Sequence, residues 1–218
     1  QISCKCRGNF YRPGILRASP GYERPDFTGN LSPEENRLLL AYAESHGRTE
    51  LRAVEVFMVL HPESRFVIGG KADKDGYFDK NFKDIAGQFP NQLRYLGKIT
   101  DDALYELMYA GADDFGMPSQ FEPGGISQLE RAAFAGVRHT TNRDGLKAGV
   151  IRVGNFSEAF DFFNPVAWTV SLESHVRVWQ GEPDVWREAR FRALTQDNRW
   201  LKSAKKYIRA YGRVTGAQ

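Results

Sequence analysis

Residues 93–119 read LRYLGKITDDALYELMYAGADDFGMPS, and their pattern decides the fold. Leu93-Arg94-Tyr95-Leu96-Gly97 is a short apolar run ending in glycine, the signature of a strand. Thr100 can cap a helix whose apolar positions, Leu104, Leu107, Met108 and Ala112, recur at steps of three, one and four. Phe115-Gly116-Met117-Pro118-Ser119 is a second short strand. Strand, helix and strand in so short a span predict a parallel pair joined by a crossover helix.

The same alternation extends to both sides. Upstream, Arg65 to Gly70 reads as a buried strand ending in a glycine turn, and residues 79–88 as a short helix. Downstream, a loop from Gln120 to Gly124 leads into a helix from about Gly125 to Ala135. The resulting order predicts an α/β fold, a parallel sheet flanked by helices. Such sheets bind ligands at the carboxyl ends of their strands, here the loops 69–76, 97–101 and 119–125.

Helices flank this centre. Ser32-Pro33-Glu34-Glu35 combines a cap, a proline at the first helical position and a capping box. Leu38, Leu39, Ala41 and Tyr42 would form that helix's buried face. A second helix begins near Glu50, carries Leu51, Val54 and Met58 on one side with Ala53, Phe57 and Leu60 widening it, and stops at Pro62. Asn164-Pro165 opens a helix with Ala167, Val170, Ser174 and Trp179 near one face, and Pro183 opens another. Trp200, Ala204, Tyr207, Tyr211 and Val214 repeat at steps of four, three, four and three, a stripe that should pack against the sheet. Residues 1–30, rich in Gly, Pro and Arg and without period, read as an irregular arm, and residues 31–218 as the domain.

Composition narrows the function. The chain has 218 residues, a net charge of +3, 41% hydrophobic and 13% aromatic residues, which is ordinary for a globular protein. No run approaches ~18 apolar residues, so no membrane helix is expected. QISCKCRGNFYR lacks the apolar centre of a signal peptide. Cys4 and Cys6 are too few for a disulfide framework or, alone, for a zinc site, and suggest a reducing, cytosol-like compartment. The densest basic stretch, Lys202-Ser203-Ala204-Lys205-Lys206, lies in a helical pattern and reads as a solvated face, so no nucleic-acid partner is expected.

The chemistry concentrates in Pro118-Ser119-Gln120-Phe121-Glu122-Pro123-Gly124-Gly125-Ile126-Ser127-Gln128-Leu129-Glu130. A strand ends, a loop carries a carboxylate, and two glycines precede a helix. Glycines allow close backbone approach, and the orphan amides of a first helical turn favour an anion such as a diphosphate. Glu130, about a turn and a half further on, could reach the hydroxyls of an attached ribose.

PSQFEPGGISQLE resembles the signature of glycogen and starch synthases, nucleotide-sugar glucosyltransferases of the two-domain GT-B fold. PESRFVIGGKAD, residues 93–119, RDGLKAGV and the closing helices WREARFRALTQDNRWLKSAKKYIRAYGRV are similar to consecutive parts of that family's C-terminal, Rossmann-like domain. The resemblance runs from about residue 50 to 214. It implies retaining transfer of glucose from ADP-glucose or UDP-glucose to an α-1,4-glucan held by an N-terminal domain absent from this sequence. It implies Glu122 on the donor glucose, the amides of Gly125, Ile126 and Ser127 on the diphosphate, Glu130 on the ribose, and the Gly97-Lys98 loop near the base. The nucleotide sugar is a co-substrate, and no metal or other cofactor is implied, nor a membrane. The implied location is cytoplasm or plastid stroma.

Three positions depart from that pattern. The family places an Arg, and a Lys five residues later, at its first strand-to-helix turn. Alignment on Gly47 puts Ala41 and His46 there. Arg143-Asp144-Gly145 sets Asp144 where a glycine normally approaches the diphosphate, and its charge would repel that ligand. Val137-Arg138-His139-Thr140-Thr141 is unlike the family's apolar strand, which leaves His139 as a surface residue or a ligand. These departures support an alternative reading, a non-catalytic or degenerate binding module. A third is a relative that uses another sugar nucleotide.

Overall fold

The computed structural model describes residues 2–6, 16–17, 32–47, 50–70, 76–119, 122–160 and 165–216. In chain order these form β1 (Ile2–Cys6), β2 (Leu16–Arg17), α1 (Pro33–Ser45), β3 (Glu50–Leu51), α2 (Ala53–Leu60), β4 (Phe66–Gly70), α3 (Tyr77–Gln88), β5 (Leu93–Gly97), α4 (Asp102–Gly111), β6 (Asp114–Met117), α5 (Ile126–Ala133) and β7 (Val137–Thr141). A 3₁₀ turn (Asp144–Gly149), β8 (Arg152–Val153), β9 (Phe156–Ser157), β10 (Ala159–Phe160), α6 (Pro165–Gly181), α7 (Pro183–Thr195) and α8 (Trp200–Thr215) complete it.

Six strands make one parallel sheet in the order β10-β7-β6-β1-β4-β5. The chain builds outward from β1 through β4 to β5, then returns across β1 to add β6, β7 and β10. The direction of winding therefore reverses between β1 and β6. In open α/β sheets the crevice beyond the carboxyl ends of the strands at such a reversal is where ligands bind. The expected α/β, Rossmann-like sheet is present, and the Pro118–Glu130 segment leaves β6 at the reversal.

Composition reads the whole of residues 1–30 as irregular, and at β1 the structure differs. Ile2–Cys6 pairs with Phe66–Gly70 on one side and, through Ile2 to Cys4, with Asp114–Gly116 on the other. The run ISCKC is too short and too polar to show a strand period. Its conformation comes from ladders on both edges, which are tertiary contacts. Apart from β1 and β2, residues 1–31 lie outside the described residues.

Local signals place most helix ends. Ser32 Oγ accepts from Glu35 N–H at 3.2 Å, and Glu35 Oε2 accepts from Ser32 N–H at 2.6 Å, completing the capping box. The α4 cap is Asp101, one residue after the expected Thr100; its Oδ1 accepts from the amides of Ala103 and Leu104.

Helix faces were less legible. In α1 the buried residues are Leu39 and Ala43, which meet Leu51 and Val56, whereas Leu38 and Ala41 face solvent. In α6 Trp168, Leu172, His175 and Val178 are buried, and Trp179 is exposed. No residue of α8 is buried; Trp200 is 74% exposed, Tyr211 64% and Val214 85%. The expected packing of this stripe on the sheet is thus corrected. The α6 and α7 helices cover the sheet there through Val178, Trp186, Ala189 and Ala193.

The larger core cluster joins Phe57, Met58, Phe66, Ile68, Ile85, Leu93, Trp168 and Leu172. A smaller one, Tyr109, Phe115, Met117 and Leu146, lies under the segment that follows β6. Among the described residues no helix is long and apolar enough to cross a membrane.

Candidate functional site

All four residues of β6 are buried, which anchors the segment beyond it. Ser119 N–H turns back to Met117 O at 2.8 Å, and Ser119 O accepts from Thr141 Oγ1 of β7 at 2.6 Å. The loop then reaches Glu122, whose Oε1 accepts from Gly125 N–H at 3.1 Å. Gly125 has φ +62° and is the N-cap of α5. The left-handed conformation calls for glycine, and a Cβ there would lie 2.7 Å from Leu146 Cδ2 and 2.9 Å from Gln128 Nε2, so those side-chain ends would have to shift. Ile126 is 66% exposed and Ser127 is buried. Their amides belong to the first turn of α5, where a helix presents orphan N–H groups and the positive end of its dipole.

A second wall is the 3₁₀ turn. Gly145 N–H donates to Glu122 O at 3.0 Å, and Gln128 Nε2 donates to Gly145 O at 3.1 Å. A Cβ on Gly145 would collide with the Pro123 carbonyl and sit 2.8 Å from Gly124 Cα. The Asp144 side chain, and with it the expected repulsion, lies outside what is described.

Beneath the turn, Arg138 and Glu158 form an ion pair at 2.7 Å with both side chains 1% exposed. Arg138 also donates to Gly149 O at 2.7 Å, Gln196 Oε1 at 3.2 Å and Gln128 O at 3.5 Å. Glu158 accepts the backbone N–H groups of Arg138 and Ile151. Burial raises the Glu158 carboxyl above its ordinary range, partly offset by Arg138. On the far side of α5, the buried Arg131 guanidinium bonds the carbonyls of Tyr109 and Ala112, fixing α5 to the end of α4. Burial draws the Arg131 pKa down to about 10.

His139 is a correction: it is fully buried, not a surface residue. Its ring stacks on Trp168 and lies 4.8 Å from the His175 ring. Burial first, then the His175 charge, lowers its pKa to about 3. His175 Nδ1 stands 3.1 Å from Asp114 Oδ2. Burial opposes both charges, but their mutual attraction together with neighbouring groups outweighs it, raising His175 and lowering Asp114. Among the described residues no group of His, Cys, Asp or Glu has the arrangement of a metal site.

The structure brings Glu122, Gly125, Ile126 and Ser127 together at one junction. Glu130 is exposed on the same helix, and its carboxylate accepts from Tyr109 O–H at 3.1 Å. Gly97 ends β5, the edge strand of the sheet, and Lys98 follows it, three strands from β6 or roughly 14 Å at ordinary strand spacing. They share the ligand-binding edge but not the junction.

Ala41 and His46 belong to neither. Both lie on or just after α1, with the His46 ring 4.2 Å from Tyr42. β1 ends at Cys6 and is the first strand of the sheet, so Gly47, which follows α1, does not mark the end of the sheet's first strand. In the sequence Arg7 and Arg12 follow β1 five residues apart; they lie outside the described residues.

Sequence reasoning missed Tyr109, Arg138, Glu158 and the packing role of Gln128. The one available signal was a charged residue inside the short strand pattern at 137–141.

No protein-family profile matches the chain. Among curated proteins it is 31% identical to glycogen synthase 1 of Synechocystis over 164 residues, covering 72% of this chain and 33% of that protein. The chain spans about a third of the length of the curated relatives it matches. Among solved structures, the catalytic domain of starch synthase IV from Arabidopsis thaliana, bound to ADP and acarbose, superposes with a TM-score of 0.65 at 20% identity. That match covers 97% of this chain and 38% of that one. HepE of Anabaena in complex with UDP superposes at 0.56 and 12% identity, over 97% of this chain and 48% of that one. With a strand order that reverses beside β6, the signature segment leaving that strand, and glycogen synthases as its sequence relatives, the chain belongs to the glycogen and starch synthase-like glycosyltransferases of the GT-B fold and corresponds to their C-terminal domain.

Proposed function

We propose that this chain is the donor-binding domain of a retaining glucosyltransferase that moves glucose from ADP-glucose or UDP-glucose to the non-reducing end of an α-1,4-glucan. The observation that carries the reading is the α5 N-terminus, headed by left-handed Gly125 and faced by Glu122, at the reversal point of the sheet. ADP on starch synthase IV and UDP on HepE support a nucleotide ligand.

The proposed chemistry follows from charge. As the glycosidic bond breaks, negative charge grows on the leaving diphosphate. Preoriented amides and a helix dipole stabilise it at no reorganisation cost. The amides of Gly125, Ile126 and Ser127 would do this, with Glu122 moving from the Gly125 amide to the glucose hydroxyls. Glu130, oriented by Tyr109, would take the ribose, and the Gly97-Lys98 loop would lie toward the base. Arg7 and Arg12, by their spacing after β1, are the candidate cations for the diphosphate, so no metal is invoked. The acceptor glucan would be held by a further domain, in a cytoplasmic or plastid compartment.

Titration calorimetry of residues 1–218 with ADP, UDP and their glucose conjugates tests the reading. Binding of one nucleotide pair, weakened by Glu130→Ala, is expected and names the base. Binding unaffected by Glu130→Ala would reject this site.

A further inference from the structure

We infer that Gln128 is a positioning residue, whose amide holds the 144–149 turn against the Glu122 loop and thereby sets the separation of the two walls of the crevice. The inference rests on the donor-site reading above.

Gln128 is 1% exposed. Among the described residues its side chain makes one hydrogen bond, from Nε2 to Gly145 O at 3.1 Å, and its Oε1 is buried with no hydrogen-bond partner. The amide is wedged between two more glycines. A Cβ on Gly125 would stand 2.9 Å from Nε2, and a Cβ on Gly149 would stand 3.0 Å from Oε1. One side chain thus touches the loop glycine, the first glycine of the turn and the last.

A chain of bonds continues from this contact. Gly145, held by Gln128 through its carbonyl, donates its own N–H to Glu122 O. Glu122 in turn accepts from the Gly125 amide through Oε1. Arg138 secures the other end by bonding Gly149 O and Gln128 O. The turn is therefore pinned at Gly145 by Gln128 and at Gly149 by Arg138. The Gly145 pin is the one adjacent to the carboxylate and the helix amides proposed to meet the donor.

The orphaned Oε1 is the second argument. A buried polar atom without a partner costs stability, so packing alone favours an apolar residue of this size. Methionine would fill the space without leaving an unpaired carbonyl of its own. It could not donate to Gly145 O. A glutamine here trades an unsatisfied acceptor for a directed bond to the turn.

The test uses the chain of 218 residues with Gln128→Met and Gln128→Glu, and ADP and UDP as probes. Gln128→Met should change the melting temperature by less than about 4 °C. It should weaken binding of the preferred nucleotide about tenfold or more, and speed amide exchange of Gly145 by a similar factor, while Phe115 and His139 amides keep their rates. Gln128→Glu should bind poorly at pH 8 and recover near pH 5, where the protonated carboxyl donates again; wild type should show no such gain. Unchanged binding and unchanged Gly145 exchange in Gln128→Met would overturn the inference. So would a loss spread evenly over all amides with a collapse of the melting temperature, which marks a purely structural role. Absence of nucleotide binding by wild type overturns the donor-site reading instead, and the Gly145 exchange rate in Gln128→Met then decides by itself whether Gln128 holds the turn.

Discussion

Replacing Glu158 by alanine isolates the buried ion pair under the turn. Both partners are 1% exposed, so the substitution would leave the buried Arg138 guanidinium without its counter-ion. Removing one member of such a pair costs about 3–5 kcal/mol. The carboxylate also accepts the backbone N–H groups of Arg138 at 3.0 Å and Ile151 at 2.9 Å, which would be left unpaired. Each orphan adds about 1–3 kcal/mol, though the terms overlap because Arg138 retains its bonds to Gly149 O and Gln196. A total near 5 kcal/mol is then expected, a large share of a typical domain's stability. At about 2–4 °C per kcal/mol for a chain of this length, the melting temperature should fall by roughly 10–20 °C. Exchanging both residues together, Arg138→Met with Glu158→Leu, removes the stranded charge and should recover more than half of the loss. Calorimetry and urea unfolding at pH 7.5 measure both variants. A Glu158→Ala protein melting within about 2 °C of wild type, or a double variant no better than the single, would refute the reasoning.

Other outcomes are expected. His139 is held neutral in the fold, at about 3 against an ordinary 6.5, so the stability it contributes is present above pH 6.5 and is lost as pH falls from there toward 3. His139→Leu should therefore flatten the acid limb of the stability curve by about 2 kcal/mol between pH 6.5 and 5; urea unfolding at both pH values checks it, and parallel curves would contradict the assignment. Glu122→Ala should reduce turnover of the complete enzyme by about a hundredfold or more, while the melting temperature shifts by less than about 4 °C. Retained activity would remove Glu122 from the site. Deleting residues 200–216 should leave the melting temperature nearly unchanged, because no residue of α8 is buried; a drop beyond about 8 °C would show that the helix packs.

The reach of sequence reasoning followed the range of the interactions. The capping box at Ser32 and Glu35, the strand at Phe66–Gly70 and the glycine-headed helix after Glu122 depend on neighbours within a few residues, and they appear where the pattern puts them. The phase of α1 depends on Leu51 and Val56, and only packing distinguishes Leu39 from Leu38. Arg138 and His139 look wrong for a buried strand until Glu158 and Trp168 are beside them.

The sequence by itself determined the alternating α/β order, the motif that carries the proposed chemistry and the family, because each is written in residue type and short-range spacing. Tertiary structure alone decided that Ile2–Cys6 is a central strand, that the winding reverses beside β6, and that the 144–149 turn closes on Glu122. Those facts rest on ladders and contacts between residues far apart in the chain. No local period records which distant strand a polar run such as ISCKC will pair with; the sheet that accepts it on both edges does.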